Sequence, residues 1–342
     1  MKSNLIKFAQ MAAVGLALTL TLSCSGGDDN GGDSSDGGSS SPSDGGWNWN
    51  PAVDIYVAGF SGNGATLWKN GVTQILSEQY SNAVSVYVSG NDVYVAGYIG
   101  NDANTRATLW KNGVAQTLSS SQSHANAVFV SGSDVYVVGV IGDWLGYGRK
   151  ATLWKNGIAQ TLPSNNQSAD ANSVFVSGSD VYVAGWAYNY GATLWKNGTI
   201  QSLLNDGSAP EGNSVFVSGS DVYVAISPSS GSDRRARLWR NNGDAAQLLS
   251  TEHSGATSVY VSGSDVYVAG EIDWKITLWK NGVEQNFNIN SSSNPSIFVS
   301  GTDVYVAGLT NNGAVLLKNG VAKYIGETNV NSGARSVFVV SK

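Results

Sequence analysis

The chain is 342 residues long, 42% hydrophobic and only 13% charged, with 42 glycines and 6 prolines, a composition that supports a packed core and excludes wholesale disorder. One cysteine and two histidines exclude an intrachain disulfide, a cysteine-based zinc cluster and a three-histidine metal site, so no metal and no cofactor is expected. A formal charge of −6 leaves no general basic field for nucleic acid, and short Val- and Tyr-rich runs punctuated by glycine disfavour helical bundles and dinucleotide-binding folds.

Lys2 and Lys7 precede an apolar segment from Phe8 to Leu22, short for a membrane span but of the length of a signal-peptide core, so residues 1–23 are expected to be an export signal. That segment ends in Leu20-Thr21-Leu22-Ser23-Cys24, which resembles the lipobox of bacterial lipoproteins. The resemblance implies that Cys24 is lipidated and that the chain is held to a membrane through several acyl chains, since one chain anchors only marginally. Residues 25–46 contain Ser, Gly, Asp and a single Pro, with no large apolar residue, and residues 24–46 read as a flexible tether. Asp28 and Asp29 resemble the acidic export tag of Bacteroidota-type surface lipoproteins, although a soluble spacer reads equally from the same residues. The tag implies the outer membrane or cell surface of a Gram-negative bacterium, with a periplasm-facing anchor as the alternative.

From Asp54 onward three phrases recur. Asp-Val-Tyr-Val-Ala-Gly or a near copy places its Tyr at Tyr56, Tyr94, Tyr136, Tyr182, Tyr223, Tyr267 and Tyr305. Ala-Thr-Leu-Trp-Lys-Asn-Gly places Trp at Trp68, Trp110, Trp154, Trp195, Trp239 and Trp279, with Leu317 in the seventh copy. Ser-Val-Phe-Val-Ser-Gly begins at Ser85, Ala127, Ser173, Ser214, Ser258, Ser296 and Ser336. Seven units of about 41 residues result.

Each unit reads as four strands. Ser-Val-Phe-Val passes through a Ser-Gly-Ser-Asp turn into Val-Tyr-Val-Ala, a variable loop leads to Ala-Thr-Leu-Trp, and Asn-Gly turns the chain into a short fourth segment. Val-Tyr-Val-Ala is apolar on both faces, so both faces must be covered, and small sheets stacked around a ring cover them. The first unit lacks a Ser-Val-Phe-Val strand and the chain ends with one left over, so the C-terminal strand is expected to complete the first blade and close the ring. Residues 47–342 therefore read as an all-β, seven-bladed β-propeller of four-stranded antiparallel blades.

Over residues 54–340 the chain resembles the β-propeller superfamily, and specifically bacterial lipoprotein propellers with near-identical blades. It lacks the Trp-Asp dipeptide of WD-type repeats, the paired Gly of kelch repeats and the Ser-x-Asp-x-Gly-x-Thr-Trp box of sialidase-type propellers, so no activity transfers from those families.

The long link places Ser-Val-Phe-Val innermost. One face then carries the repeated turns, and the other carries every variable segment. On the variable face Asn126, Asn172, Asn213, Thr257 and Arg335 should ring the channel mouth, offering hydrogen bonds to hydroxyl-rich or amide ligands, or merely turning the chain inward. Tyr98, Trp144, Tyr147, Trp186, Tyr188, Tyr190 and Trp274 are placed in variable loops, where exposed rings stack on sugars or anchor a protein partner, or fold back onto the blade edge.

The repeated Trp residues read as inter-blade core. The turn aspartates, Asp54 to Asp303, read as bonding nearby backbone amides, and the Lys or Arg after each Trp as a solvated hairpin residue. His124 and His253 fall in different inter-blade links without a Ser or Asp partner, so no catalytic residue is named. Asp143, Asp170, Glu211, Glu252, Glu271 and Asp273 could supply a carboxylate pair. Arg234, Arg235, Arg237 and Arg240 form a local patch too small for nucleic acid. The expected function is a monomeric, lipid-anchored binding protein for a glycan or protein ligand on the variable face. A polysaccharide-active hydrolase or lyase, and a structural or assembly spacer, are the alternatives.

Overall fold

In a computed structural model the described residues are 48–342, apart from 143–147, 229–233, 244, 292 and 328. Among them, 28 strands form seven four-stranded antiparallel sheets, and the sole helical element is a three-residue 3₁₀ turn, Asp102–Asn104. The sheets follow one another around a ring in sequence order. The C-terminal strand Ser332–Ser341 pairs with Val53–Ser61, which continues through Gly64–Lys69 to Val72–Ile75, so the last strand of the chain is the innermost strand of the first blade.

Burial grades outward across each blade. In the second blade Val86 and Val88 of the inner strand are buried, Tyr94, Val95 and Ala96 of the next strand are buried, and Val114–Thr117 at the rim is exposed throughout. The core is divided into seven clusters, one at each blade-to-blade interface. Trp110, fully buried, packs with Val86, Val88 and Val95 of its own blade against Tyr56, Ala58 and Leu67 of the first. The same position is filled by Trp68, Trp154, Trp195, Trp239, Trp279 and Leu317, none more than 9% exposed, as the sequence pattern leads one to expect.

The inner strands present one aromatic each to the axis. Tyr87, Phe129, Phe175, Phe216, Tyr260, Phe298 and Phe338 touch in sequence, with centroids 4.8–4.9 Å apart and interplanar angles of 47–52°, and the last returns to the first. Such tilted geometry is favoured by the ring quadrupole. This collar was not legible in the sequence as a ring, because its members are a blade apart.

The turn face differs in detail from expectation. The aspartates do not bond backbone amides. Asp92 accepts Asn112 Nδ2 at 2.7 Å and Lys111 Nζ at 2.7 Å, while Asn112 Oδ1 takes the Val93 amide at 2.8 Å. Asn112 sits at φ 51° in the Asn-Gly turn, a conformation asparagine tolerates, and this brings its side chain to the amide first. Lys111 also lies 5.2 Å from the Tyr94 ring centroid, so the hairpin lysine is engaged rather than simply solvated. The Asp–Lys or Asp–Arg pair recurs in all seven blades.

Candidate functional site

The upper end of each inner strand is where the repeat breaks its own ladder. A register shift falls between Ala83 and Ser85, Ala125 and Ala127, Ala171 and Ser173, Gly212 and Ser214, Ala256 and Ser258, Ser293 and Ser296, and at Ala334–Ser336 in the first blade. The bulged residues are therefore Val84, Asn126, Asn172, Asn213, Thr257 and Arg335, with Asn294 and Pro295 in the seventh blade. These five polar residues lie inside nine- or ten-residue strands and not in turns. An extra residue re-aims its side chain out of the ladder, and a turn and a bulge are built from the same small polar residues.

All five expected mouth residues, Asn126, Asn172, Asn213, Thr257 and Arg335, meet in one cavity of about 420 Å³, joined by Glu211 and by the hydroxyl-bearing residues Ser85, Ser173, Ser214, Ser258 and Ser336. Part of their role is structural. Asn126 Nδ2 donates to the Ala171 carbonyl at 3.0 Å, Asn172 to Gly212 at 3.2 Å, Asn213 to Ala256 at 3.0 Å, and Thr257 Oγ1 to Pro295 at 2.6 Å, so each staples its blade to the next. One N–H meets that bond, and each amide carries a further N–H and a carbonyl oxygen. One layer below, Ser85, Ser173, Ser214, Ser258 and Ser336 accept amides of the following blade at 3.1–3.2 Å.

Charge is distributed unevenly around this mouth. Burial pushes the Glu211 carboxyl above the usual range and the nearby Asp170 charge adds to it, against the pull of Arg149. Asp170 is likewise raised by burial, opposed by Arg149 at 2.8 Å. Its Oδ1 is buried without a hydrogen-bond partner. Arg335, on the first blade, is lowered by burial, with Tyr98 acting in the opposite sense. Its guanidinium lies 5.8 Å from the Phe60 ring. Glu271, raised by burial against the influence of His253 and Arg234, adds a further carboxylate on the sixth blade.

The aromatics divide into three kinds. Tyr98 and Trp186 end strands rather than sitting in loops. Tyr98 meets His124 edge-on at 4.7 Å, and Trp186 lies 5.7 Å from the Arg149 guanidinium and 6.5 Å from Tyr188. Tyr190 folds back onto the blade edge, its hydroxyl accepting Asn165 Nδ2 at 2.6 Å. Tyr188 and Trp274 are 51% and 55% exposed. Trp274 is at φ 62° beside Asp273 at φ 45°, in a two-residue turn whose backbone ordinarily calls for Asn-Gly, so a large exposed ring is held at a conformational cost. His124 opens an inner strand rather than lying in a link. Cys24, Trp144 and Tyr147 fall outside the described residues. Among the described residues no three His, Asp, Glu or Cys gather in a metal-binding group, and no helix is long and apolar enough to cross a membrane.

No protein-family profile matches the chain, and no curated protein matches it. Solved structures share its fold. A puromycin-hydrolysing peptidase from Mycobacterium tuberculosis is 12% identical with a TM-score of 0.51, over 81% of this chain and 54% of that one. The acylaminoacyl peptidase of Pyrococcus horikoshii is 11% identical with a TM-score of 0.48, over 82% and 52%. Apo AztD from Citrobacter koseri is 13% identical with a TM-score of 0.45, over 84% and 98%. The chain spans about half the length of the two peptidases, and the likeness to the Mycobacterium tuberculosis peptidase is one of fold.

Proposed function

We propose that this chain is a lipid-anchored extracytoplasmic binding protein that captures a glycan or protein ligand on the variable face of its propeller, without turnover. The observation that carries the reading is the convergence on one cavity of five polar residues, one from the bulge of each of five blades, while the opposite face repeats one Asp–Lys or Asp–Arg pair around the ring. A volume of about 420 Å³ falls in the range of small-ligand pockets, which suits a sugar unit or a short peptide segment rather than a flat partner surface. Exposed Trp274 and Tyr188 supply stacking surface on the same face. The lipobox-like run ending at Cys24 supports the anchor, and the acidic tag supports an outer-membrane or surface address.

The test is to display the full chain in detergent micelles to glycan and peptide arrays, alone and with Trp186→Ala and Trp274→Ala. Capture that weakens in the variants without a change in melting supports the reading. A chain that holds neither class of ligand is a spacer. A second reading, hydrolysis, draws on Glu211 and Asp170, both raised by burial, with the Asp170 charge adding to the rise of Glu211, as neighbouring carboxyls in acid–base sites are tuned. Cleavage of an arrayed ligand, lost in Glu211→Gln, would favour it.

A further inference from the structure

The mouth has a sign at each end. Glu211 sits on the fifth blade and Arg335 on the first, and both line the same cavity. The aromatic collar beneath gives their separation around the ring. From Phe216 the contacts run through Tyr260 and Phe298 to Phe338, three steps, which is as far apart as a sevenfold ring allows. A closed heptagon of ring centroids with sides of 4.8–4.9 Å, the spacing at which tilted rings touch their neighbours, is about 11 Å across its long diagonal. Arg335 is the bulged residue of its inner strand, and Glu211 lies two positions before the bulged Asn213 on another of the seven.

Glu211 takes no hydrogen bond or ion pair among the described residues, while the neighbouring Asp170 is engaged by Arg149 at 2.8 Å. A half-buried carboxylate with no cation at hydrogen-bond distance costs stability, and a ligand ammonium would relieve that cost. On the far side a guanidinium presents a planar fork suited to a carboxylate. Asn172 and Asn213, on the fourth and fifth blades, line the same cavity, and the amide groups left over from their Nδ2 bonds match a peptide backbone. A neutral sugar engages neither charge, and a free α-amino acid carries both charges too close together to reach opposite walls. An extended backbone advances 3.3–3.6 Å per residue, so about two to four residues span a distance of the order of the collar diagonal.

We propose that the mouth binds a short zwitterionic peptide, its terminal ammonium at Glu211 and its terminal carboxylate at Arg335. This rests on the reading of the mouth as the binding site, and it selects one ligand class for it.

Isothermal titration calorimetry of the full chain in micelles, with triglycine, N-acetyltriglycine, triglycine amide and maltotriose, tests it. Triglycine should bind, and capping either end should weaken it at least about tenfold, the worth of one charge-assisted contact. Glu211→Gln should erase the penalty for acetylation alone and Arg335→Gln the penalty for amidation alone. Arg335→Lys, which keeps the charge, should restore part of the affinity and guards against a folding defect. Capped and free peptides that bind equally overturn the zwitterion and leave the mouth as a site, as does maltotriose binding without triglycine. Binding of none of the four overturns the peptide assignment and counts against the mouth as well.

Discussion

The backbone amide of Val86 donates to Ser336 Oγ at 3.2 Å across 250 positions of sequence. Ser336 belongs to the last strand of the chain and Val86 to the inner strand of the second blade, so the C-terminal strand both completes its own blade and staples it to the next. Removing residues 332–342 should leave Val53–Ser61 with an open edge and the second blade without its latch. The expected result is loss of cooperative unfolding and self-association, read by circular dichroism and size-exclusion chromatography. A truncated chain that melts like the intact one would mean that the ring does not depend on this closure.

The two kinds of tryptophan should separate in one experiment. Trp110→Ala opens a cavity in an interface where the side chain is fully buried, at a cost of about 3–5 kcal/mol. Trp274→Ala removes a ring that is 55% exposed, and a surface change of this sort stays within about 0.5 kcal/mol. Denaturant midpoints for the pair measure the difference.

The glycine of Val-Tyr-Val-Ala-Gly has a steric reason. A Cβ on Gly97 would stand 2.0 Å from the Asn82 carbonyl oxygen, beside the bulge where Ala83 opposes Gly97. In the fifth blade the two sizes are exchanged: Gly212 opposes Ile226. Gly97→Ile alone should prevent folding or cost more than the usual 1–3 kcal/mol of an overpacked core. Adding Ala83→Gly should recover part of that loss. A double variant no better than the single one would show that the exchange is not compensatory.

Acid should weaken the ring through its turn aspartates. For Asp54, burial works to raise the carboxyl, but hydrogen bonds from Asn70, Lys69 and Lys342 prevail and hold it at about 2, against an ordinary 3.8. Asp92, Asp134, Asp180 and Asp265 are also lowered, by their Lys and Asn partners. A carboxyl lowered in the folded state stabilises it above the unfolded value and loses that contribution as pH falls through the folded one. The urea midpoint should therefore drop between about pH 4 and pH 2, less steeply in Asp54→Asn. Asp170, Glu211 and Glu271 shift the opposite way and act above that window. A flat midpoint from pH 4 to 2 would contradict the assignment.

Cys24→Ala tests the anchor. The variant should move from the membrane to the soluble fraction of the expressing bacterium, followed by fractionation and immunoblotting. Retention on the membrane would remove the lipid anchor.

Much of this molecule is local and repeated, and that part is readable from one dimension. Asn-Gly turns, doubly apolar Val-Tyr-Val-Ala strands, buried tryptophans at one position and a spare final strand each state their requirement within a few residues. Seven repetitions make the pattern unambiguous, and closure follows because an unpaired strand at one end matches a missing one at the other. What needed three dimensions is everything that depends on register between strands and on neighbours a blade away. Whether Asn126 turns the chain or bulges out of a ladder is decided by its neighbours Ala125 and Ala127, which pair with Gly139 and Val138 and leave it unpaired in the ladder. That Asp92 takes a side-chain amide follows from how near Asn112 lies, and Glu211 shares a cavity with Arg335 only because the ring curves the chain back on itself. The physical cause is the same in each case: hydrogen bonds and charges act over a few ångströms of space, and along this chain those ångströms connect residues tens to hundreds of positions apart.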